Sequence, residues 1–271
     1  MQVLAAAVAA NPWPLRRERA AELAERYPHA AEMLRLYQAL TVVQEAAFLA
    51  FLPLPLAGQG RGGGIALYAA EHVLPAVIDA TIESGPRALR DGVIALFASE
   101  NMEALIQRWL DQQPLNAFET YLARASASPL LEAVTPHPDP PPQGGREIRH
   151  RCPSCAGLPQ LSYFAFSGEA LVSGPRYLVC SRCANNWIIS RMTCAGCGES
   201  NGTKLPIYQE QESFPHVRVD GCQTCRKYLL TFDLRRDTRA VPIVDEIAAL
   251  PLDLYARDQG LTKIAPNLMG N

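Results

Sequence analysis

Cys152-Pro-Ser-Cys155 is the first of four Cys-x-x-Cys pairs that together contain all eight cysteines of this 271-residue chain. The other three are Cys180-Ser-Arg-Cys183, Cys194-Ala-Gly-Cys197 and Cys222-Gln-Thr-Cys225. Gaps of 24, 10 and 24 residues separate the pairs, so the second half of the array repeats the spacing of the first. A tetrahedral thiolate site takes four sulfurs, commonly from two such turns. The array therefore predicts two four-cysteine metal sites, one per repeat.

Three other uses of the cysteines fit the pattern less well. A disulfide framework suits short secreted chains, and the apolar start of this chain, Val3 to Ala10, lacks the preceding Lys or Arg of a signal peptide. A thioredoxin-like dithiol would use one pair at the start of a helix. An iron–sulfur cluster also takes four thiolates, but paired turns separated by a long loop are more typical of a single ion.

Which metal is bound and which turns share a metal ion are separate questions. Zinc and iron both accept tetrahedral sulfur coordination, so spacing leaves the metal open between them. We expect a sequential arrangement, in which Cys152, Cys155, Cys180 and Cys183 form site 1 and the last four cysteines form site 2. An interleaved arrangement is the alternative, and it would close longer loops at a greater entropic cost.

Composition and charge narrow the class of protein. The chain is 48% apolar and 19% charged, with a formal net charge of −2, which is ordinary for a soluble globular protein. Nucleic-acid binding normally requires a basic patch, and the sequence has only short basic runs, so no nucleic-acid partner is expected. Prolines interrupt the apolar stretches, so no membrane insertion is expected. Reduced thiols predict a cytoplasmic location.

Residues 1–134 are predicted to form an all-helical domain. Met33, Tyr37, Leu40, Gln44, Phe48 and Phe51 recur at steps of three and four residues, as on one face of a helix. Further apolar periodicity and boundary prolines predict helices at Leu15–Tyr27, Ile65–Ser84, Pro86–Phe97, Asn101–Asp111 and Pro114–Ser126. Pro75 should kink or split its helix.

A Pro- and Gly-rich linker at 135–147 separates this domain from the cysteine array. Residues 148–191 and 192–241 are each predicted to form a four-cysteine unit of the zinc-ribbon or rubredoxin-like kind, with short strands between the turns. Predicted strands are 161–166, 176–180, 185–191, 204–208, 217–220 and 228–233. Residues 242–271 form a short C-terminal helix and tail, which Pro251 should interrupt. The fold class is therefore α+β.

Few side chains outside the cysteines suggest a function. Arg191, Arg182, Arg226 and Lys227 lie in or beside the turns and are candidates for contact with a partner protein. Partial neutralisation of thiolate charge explains the same residues without a partner. The five histidines have no metal-ligand spacing, and no catalytic motif is present. A metal with four protein ligands has no open position for substrate, so the chain is not expected to be an enzyme.

Longer motifs around the cysteines resemble a known family, that of the formate dehydrogenase accessory protein FdhE. These motifs are Cys152-Pro-Ser-Cys-Ala-Gly-Leu-Pro159, Gly174-Pro-Arg-Tyr-Leu-Val-Cys-Ser-Arg-Cys183, Trp187 with Arg191-Met-Thr-Cys-Ala-Gly-Cys197, Gly221-Cys-Gln-Thr-Cys-Arg-Lys-Tyr-Leu229 and Val244-Asp-Glu-Ile-Ala-Ala-Leu-Pro-Leu-Asp253. Ala156 stands where the family tends to have glycine, and we expect it to fit with a negative φ.

The resemblance implies a cytoplasmic maturation factor and not an enzyme. Such a protein binds the catalytic subunit of a respiratory, molybdenum-containing formate dehydrogenase before export and supports formation of active enzyme. Its cysteine pairs carry two metal ions, either iron in a rubredoxin-like state or zinc. Two other functions remain open from the residues themselves, namely rubredoxin-like electron transfer or redox sensing, and nucleic-acid binding through zinc ribbons.

Overall fold

The computed structural model describes residues 11–51, 63–135, 150–165 and 174–270. They belong to two compact units, Met1–Val134 and Thr135–Asn271. Nearly all of the predicted linker lies outside the described residues. The predicted fold class is confirmed, because a helical N-terminal region precedes a sheet-containing region with two cysteine clusters and short C-terminal helices.

The described part of the first unit is entirely helical. Its α-helices are α1 (Trp13–Arg26), α2 (Ala31–Phe51), α3 (Gly63–Tyr68), α4 (Leu74–Ser84), α5 (Arg87–Ser99), α6 (Met102–Leu110) and α7 (Ala117–Val134). Its core is aliphatic and aromatic, with Leu34, Leu40 and Leu122 fully buried. Arg16 forms a buried ion pair with Glu132, at 2.6 Å between Nη2 and Oε1.

Pro75 interrupts its helix as predicted. A π-helical segment, Ala69–Val73, separates α3 from α4 and ends just before Leu74-Pro75. Proline has no N–H with which to bond the carbonyl of Glu71, four residues earlier, and its ring crowds that carbonyl. The wider π turn accommodates both effects, as insertions of this kind do within α-helices.

Helix α7 differs from its predicted bounds at both ends. Pro114 does not start it, because Asn116 and Glu119 form a capping box: the Glu119 amide donates to Asn116 Oδ1 at 3.0 Å, and the Asn116 amide donates to Glu119 Oε2 at 2.8 Å. The helix also continues past Ser126 and through Pro129. Pro129 cannot bond the Ala125 carbonyl.

The buried side chain of Gln44 supplies the missing hydrogen bond. Its Nε2 donates to the Ala125 carbonyl at 2.9 Å, and Gln44 is buried on α2. A polar residue on an apolar helix face therefore satisfies the one backbone acceptor that Pro129 leaves without its helical donor.

The second unit is built on a single sheet. Its strands are β1 (Pro159–Phe164), β2 (Arg176–Cys180), β3 (Asn186–Ile189), β4 (Ile207–Tyr208), β5 (Val217–Gly221), β6 (Lys227–Asp233) and β7 (Thr262–Lys263). The order across the sheet is β3-β2-β1-β6-β5-β4, and β7 also pairs with β6. The predicted strand over 204–208 is reduced to β4, because Asn201 caps a 3₁₀ turn at Gly202–Lys204.

The two cysteine repeats join through a parallel pair of strands. Within each repeat the strands are antiparallel, whereas β1 of the first repeat runs parallel to β6 of the second. Across this junction the Ser162 and Thr231 hydroxyls lie 2.7 Å apart in a hydrogen bond. The two repeats therefore form one continuous sheet, joined by the parallel pair of β1 and β6.

Two helices, α8 (Pro242–Ala248) and α9 (Leu250–Asp258), follow the sheet, with the predicted interruption at Pro251. Buried charges hold this segment to the strands. Lys263 Nζ lies 2.7 Å from Glu246 Oε1 and 2.9 Å from Asp253 Oδ2, and the Tyr228 hydroxyl donates to Asp253 at 2.8 Å. Burial raises the pKa of Glu246. The neighbouring Lys263 ammonium opposes this effect and stabilises the ionised carboxylate.

Among the described residues, one helical stretch, Gly64–Ser84, is long and apolar enough to cross a membrane. Half of its apolar window is buried inside the protein. A core helix of a folded domain can be equally long and apolar, so this single stretch is weak evidence for a membrane span. The absence of membrane insertion stays a prediction.

Candidate metal centres

All four Cys-x-x-Cys turns have the same backbone geometry. In each, the amide of the first cysteine donates to the carbonyl five residues later: Cys152 to Gly157 at 2.8 Å, Cys180 to Asn185 at 3.0 Å, Cys194 to Glu199 at 2.8 Å and Cys222 to Lys227 at 2.9 Å. The residue after each second cysteine has a positive φ; these are Ala156, Ala184, Gly198 and Arg226. The repeat in spacing is therefore also a repeat in local structure.

The expected negative φ of Ala156 is wrong, since its φ is +58°. The turn must reverse direction immediately after the second cysteine, so the left-handed region is imposed on whichever residue follows. Glycine adopts this region without a steric penalty, but only Gly198 is a glycine. Close approach does require glycine at Gly157, where a Cβ atom would lie 2.8 Å from Cys180 Sγ.

The eight sulfurs gather into two clusters in the sequential arrangement. Within each cluster all four Sγ atoms lie within 4.8 Å of one another. The first cluster contains Cys152, Cys155, Cys180 and Cys183, and the second cluster contains Cys194, Cys197, Cys222 and Cys225. Between the two turns of a cluster, the Sγ atoms of the first cysteine of one turn and the second cysteine of the other lie 3.7 and 3.4 Å apart in the first cluster and 3.7 and 3.7 Å apart in the second.

These distances fit a tetrahedral ion. A disulfide requires about 2.05 Å between sulfurs, and all eight cysteines are free thiols. A tetrahedron with metal–sulfur bonds of about 2.3 Å places its sulfurs about 3.8 Å apart. Both clusters could therefore hold a metal ion with four protein ligands. Zinc and iron fit this donor set equally well.

Burial distinguishes the two clusters. In the first cluster three cysteines are buried and Cys155 is half-buried. In the second cluster Cys194 and Cys222 are buried, Cys225 is half-buried and Cys197 is exposed. The second cluster is therefore the more accessible to solvent, to chelators and to oxidants.

Backbone and side-chain donors support the sulfurs. The Arg182 amide donates to Cys180 Sγ at 3.4 Å, and the Gly196 amide donates to Cys194 Sγ at 3.3 Å. Asn185 Nδ2 lies 3.9 Å from Cys152 Sγ. Burial raises the pKa of the Cys194 thiol, because a thiolate loses hydration inside the protein. A bound cation would supply the charge that ionisation of these thiols needs.

Arg182 and Arg226, which were predicted to contact a partner, bind backbone carbonyls of loops around the clusters. The Arg182 guanidinium approaches the Cys155 carbonyl at 3.5 Å. The Arg226 guanidinium donates to the carbonyls of Gln259 and Gly260, at 3.0 and 3.1 Å, beyond the end of α9. Both arginines thus stabilise loops around the clusters.

Arg191 and Lys227 lie elsewhere, in a cleft beside the second cluster. This cationic cleft is lined by Arg176, Arg191, Arg218, Asp220 and Lys227 among others, and by Cys194 of the cluster. Sequence reasoning missed Arg176, Arg218 and Asp220. Arg176 offered a signal, because it is the one charged residue at the start of an otherwise apolar strand and is almost fully buried there.

The histidines do not join either cluster. His150 Nδ1 lies 3.1 Å from the Ala195 carbonyl, and His216 Nε2 lies 3.4 Å from Asp245 Oδ1. In the described residues the candidate metal groups consist of cysteine alone.

The geometry defines a class of protein, one with a helical unit followed by two rubredoxin-like repeats whose cysteines form two four-sulfur clusters, each of which could hold a metal ion. Residues 192–269 match the family model "FdhE, C-terminal domain". The resemblance to the FdhE family found in the sequence is thereby confirmed.

Relatives and a solved structure agree with this assignment. The "Protein FdhE homolog" of Aquifex aeolicus is 33% identical over 125 residues, covering 46% of this chain and 43% of the relative. That of Pasteurella multocida is 26% identical over 187 residues, covering 69% of this chain and 56% of the relative. The chain thus matches about half of the length of these relatives. The crystal structure of the FdhE protein from Pseudomonas aeruginosa shares the fold, with a TM-score of 0.69 at 24% identity, covering 96% of this chain and 95% of that one.

Proposed function

We propose that this protein is an accessory factor that binds the catalytic subunit of a respiratory formate dehydrogenase and supports formation of the active enzyme. The observation that carries the proposal is the similarity to the FdhE family of a chain whose two cysteine clusters have the geometry of metal centres. The formate dehydrogenase partner follows from the family resemblance.

The clusters have a structural role in this proposal. A metal ion with four protein ligands has no free position for a substrate or an activating water, so the protein is not an enzyme. Bound zinc would supply cross-linking only, whereas iron would add a redox couple. In either case the turns around each cluster form a rigid surface on which loop side chains are displayed. Unpaired thiols are typical of proteins in a reducing compartment, which supports a cytoplasmic location as part of the proposal.

Co-purification tests this proposal. Tagged protein should capture the catalytic subunit of formate dehydrogenase from cells that express both, and deletion of its gene should abolish formate dehydrogenase activity. Cys180→Ala should weaken capture while the helical unit keeps its circular dichroism. Full enzyme activity in the deletion strain, together with no capture by the intact protein, would reject the accessory role.

Electron transfer is a second candidate, favoured by the exposure of Cys197 in the second cluster. A solvent-accessible iron–thiolate centre exchanges electrons more readily than a buried one. Protein purified without oxygen would then be red and would bleach with dithionite. A colourless protein with stoichiometric zinc would exclude this function.

A further inference from the structure

The cationic cleft carries more positive charge than its acidic residue can balance. Asp220 is the acid among its lining residues, and both of its oxygens are engaged, since Arg176 Nη2 lies 2.7 Å from Oδ2 and Arg218 Nε lies 2.9 Å from Oδ1. Within the described residues, neither Arg191 nor Lys227 has a carboxylate partner. Two cations thus face the cleft without a counterion from this part of the chain.

Further cations crowd around one aromatic ring beside the cleft. The guanidinium carbons of Arg191, Arg218 and Arg235 lie 4.9, 4.9 and 5.4 Å from the ring centroid of Phe164. The three guanidinium groups therefore lie within about 10 Å of one another. This is close to the Debye length at physiological salt, so their charges repel one another. Arg218 and Arg235 are paired with Asp220 and Asp233, whereas Arg191 is held by a neutral partner, the Gly174 carbonyl. The arrangement fixes a surplus of positive charge in advance of any ligand.

Neutralisation of the second cluster accounts for only part of this surplus. Four thiolates around a divalent ion carry a net charge of about −2, and Cys194 lines the cleft. Lys227, two residues after Cys225, can offset part of that charge and still presents an exposed ammonium group. Arg191 and Arg218 are instead oriented by Phe164, so the cysteines do not explain their position.

The rim of the cleft is apolar and open to solvent. Met192 and Ile207 line it with 54% and 51% of their surface exposed. Methionine side chains adapt to varied apolar partners, and arginine is enriched where binding energy concentrates. A cationic floor with an apolar rim matches a peptide that alternates carboxylate and apolar side chains.

We propose that this cleft binds an acidic, partly apolar peptide segment of the partner protein, with its carboxylates on Arg191 and Lys227 and an apolar side chain against Met192 and Ile207. The inference rests on the proposed accessory function and specifies where the partner docks. Single-stranded nucleic acid is a poorer fit, because it requires exposed aromatic rings for stacking and Phe164 is only 5% exposed.

Peptide binding to the full-length, metal-loaded protein tests the inference. The probe is a fluorescein-labelled hexapeptide, Glu-Leu-Asp-Leu-Glu-Leu, compared with its Gln/Asn counterpart, with free acetate and with a dT hexanucleotide. We expect the acidic peptide to bind with an affinity that falls as salt rises. The Arg191→Gln/Lys227→Gln variant should weaken binding at least tenfold. Metal content should stay equal to that of the wild type.

A matched control is Arg87→Gln/Lys204→Gln, which removes the same two charges at exposed positions outside the cleft. It should bind as the wild type does. Equal binding of the amide peptide, tighter binding of the oligonucleotide, full competition by acetate at the same carboxylate concentration, or no peptide binding below about 1 mM would each overturn the inference.

Capture of the catalytic subunit separates this inference from the accessory function. If the wild type and the Arg191→Gln/Lys227→Gln variant capture the subunit equally, the cleft is not the docking element and the accessory function stands. If the wild type captures none, the accessory function fails. The peptide measurement then decides alone whether the cleft binds acidic peptides.

Discussion

The two units of the chain are stabilised by different kinds of contact. The described core of the helical unit is mostly aliphatic and aromatic, with Leu34, Leu105 and Leu130 fully buried, and it also contains the buried Arg16–Glu132 ion pair. The core of the second unit includes five buried cysteines and the charged side chains of Arg176, Glu246, Asp253 and Lys263. The helical unit therefore depends mainly on apolar burial, whereas the second unit depends more on groups that are stable inside a protein only when they are paired or bound to a cation.

This difference predicts how each unit fails. Apolar contacts are many and individually small, so loss of one weakens the helical unit without abolishing it. A four-thiol site without its ion leaves sulfurs that repel when ionised, and small metal domains commonly fold only with the metal. A change in one unit can therefore be compared with a matched change in the other unit or at an exposed surface position.

Metal removal should produce the largest effect. A chelator should unfold the second unit, because structural zinc sites contribute about 10–16 kcal/mol of apparent binding free energy. Hydrogen exchange should show rapid loss of protection in β1 and β6 while amides of α2 stay protected. Uniform loss of protection in both units would contradict the contrast drawn above.

The two clusters should also differ in their rate of metal loss. Release should be biphasic, and the faster phase should come from the second cluster, because Cys197 is exposed and Cys225 is half-buried. A Cys197→Ala variant should lack the fast phase, whereas Cys180→Ala should lack the slow one. The opposite assignment would show that exposure of the ligands does not control release.

Removal of Lys263 should produce the next largest effect. Glu246 and Asp253 have no exposed surface, so Lys263→Met leaves two carboxylates buried without their cation. Breaking a buried ion pair from one side costs about 3–5 kcal/mol. Urea unfolding of the metal-loaded protein measures this loss, with Lys204→Met, half exposed on the surface, as the control. Adding Glu246→Gln and Asp253→Asn should restore part of the stability; no restoration would show that the loss is not electrostatic.

Sequence reasoning succeeded where a local pattern carries the information. Spacing predicted the grouping of the cysteines, apolar periodicity predicted the helices, and Pro75 and Pro251 marked the interruptions that the structure contains. It failed at the parallel pairing of β1 with β6, since Leu161 and Leu230 are far apart in the sequence and no local signal joins them.

The candidate sites also differ in whether local sequence patterns predict them. The cluster geometry followed from ligand spacing, whereas the cleft depends on Arg176, Arg191 and Arg218, which lie in three separate segments brought together by the sheet. Gln44 was placed on an apolar helix face with no role. Its purpose depends on Pro129, 85 residues away, and so becomes visible only once α2 and α7 are packed together.

The Gln44 contact gives a prediction for the helical unit. Gln44→Leu leaves the buried Ala125 carbonyl without a donor, which costs about 1–3 kcal/mol. In a Pro129→Ala background the backbone amide of residue 129 supplies the hydrogen bond, so the same Gln44→Leu change should cost much less. A double-mutant cycle by thermal unfolding measures the coupling, and additive effects would disprove the contact. Val42→Ala, at an exposed position of the same helix, is the control.

The smallest effect concerns the left-handed residues after the cysteine pairs. An L-residue in this region costs about 1–2 kcal/mol, and replacement by glycine raises the entropy of the unfolded chain by about 0.4–1 kcal/mol. Ala156→Gly, at φ +58°, should therefore stabilise the second unit by the difference, roughly 0.5 kcal/mol. Ala95→Gly, at an exposed position in the interior of α5, should destabilise the helical unit by about 1 kcal/mol. The opposite signs separate the backbone effect from side-chain loss, and a destabilising Ala156→Gly would mean that the turn holds its conformation without strain.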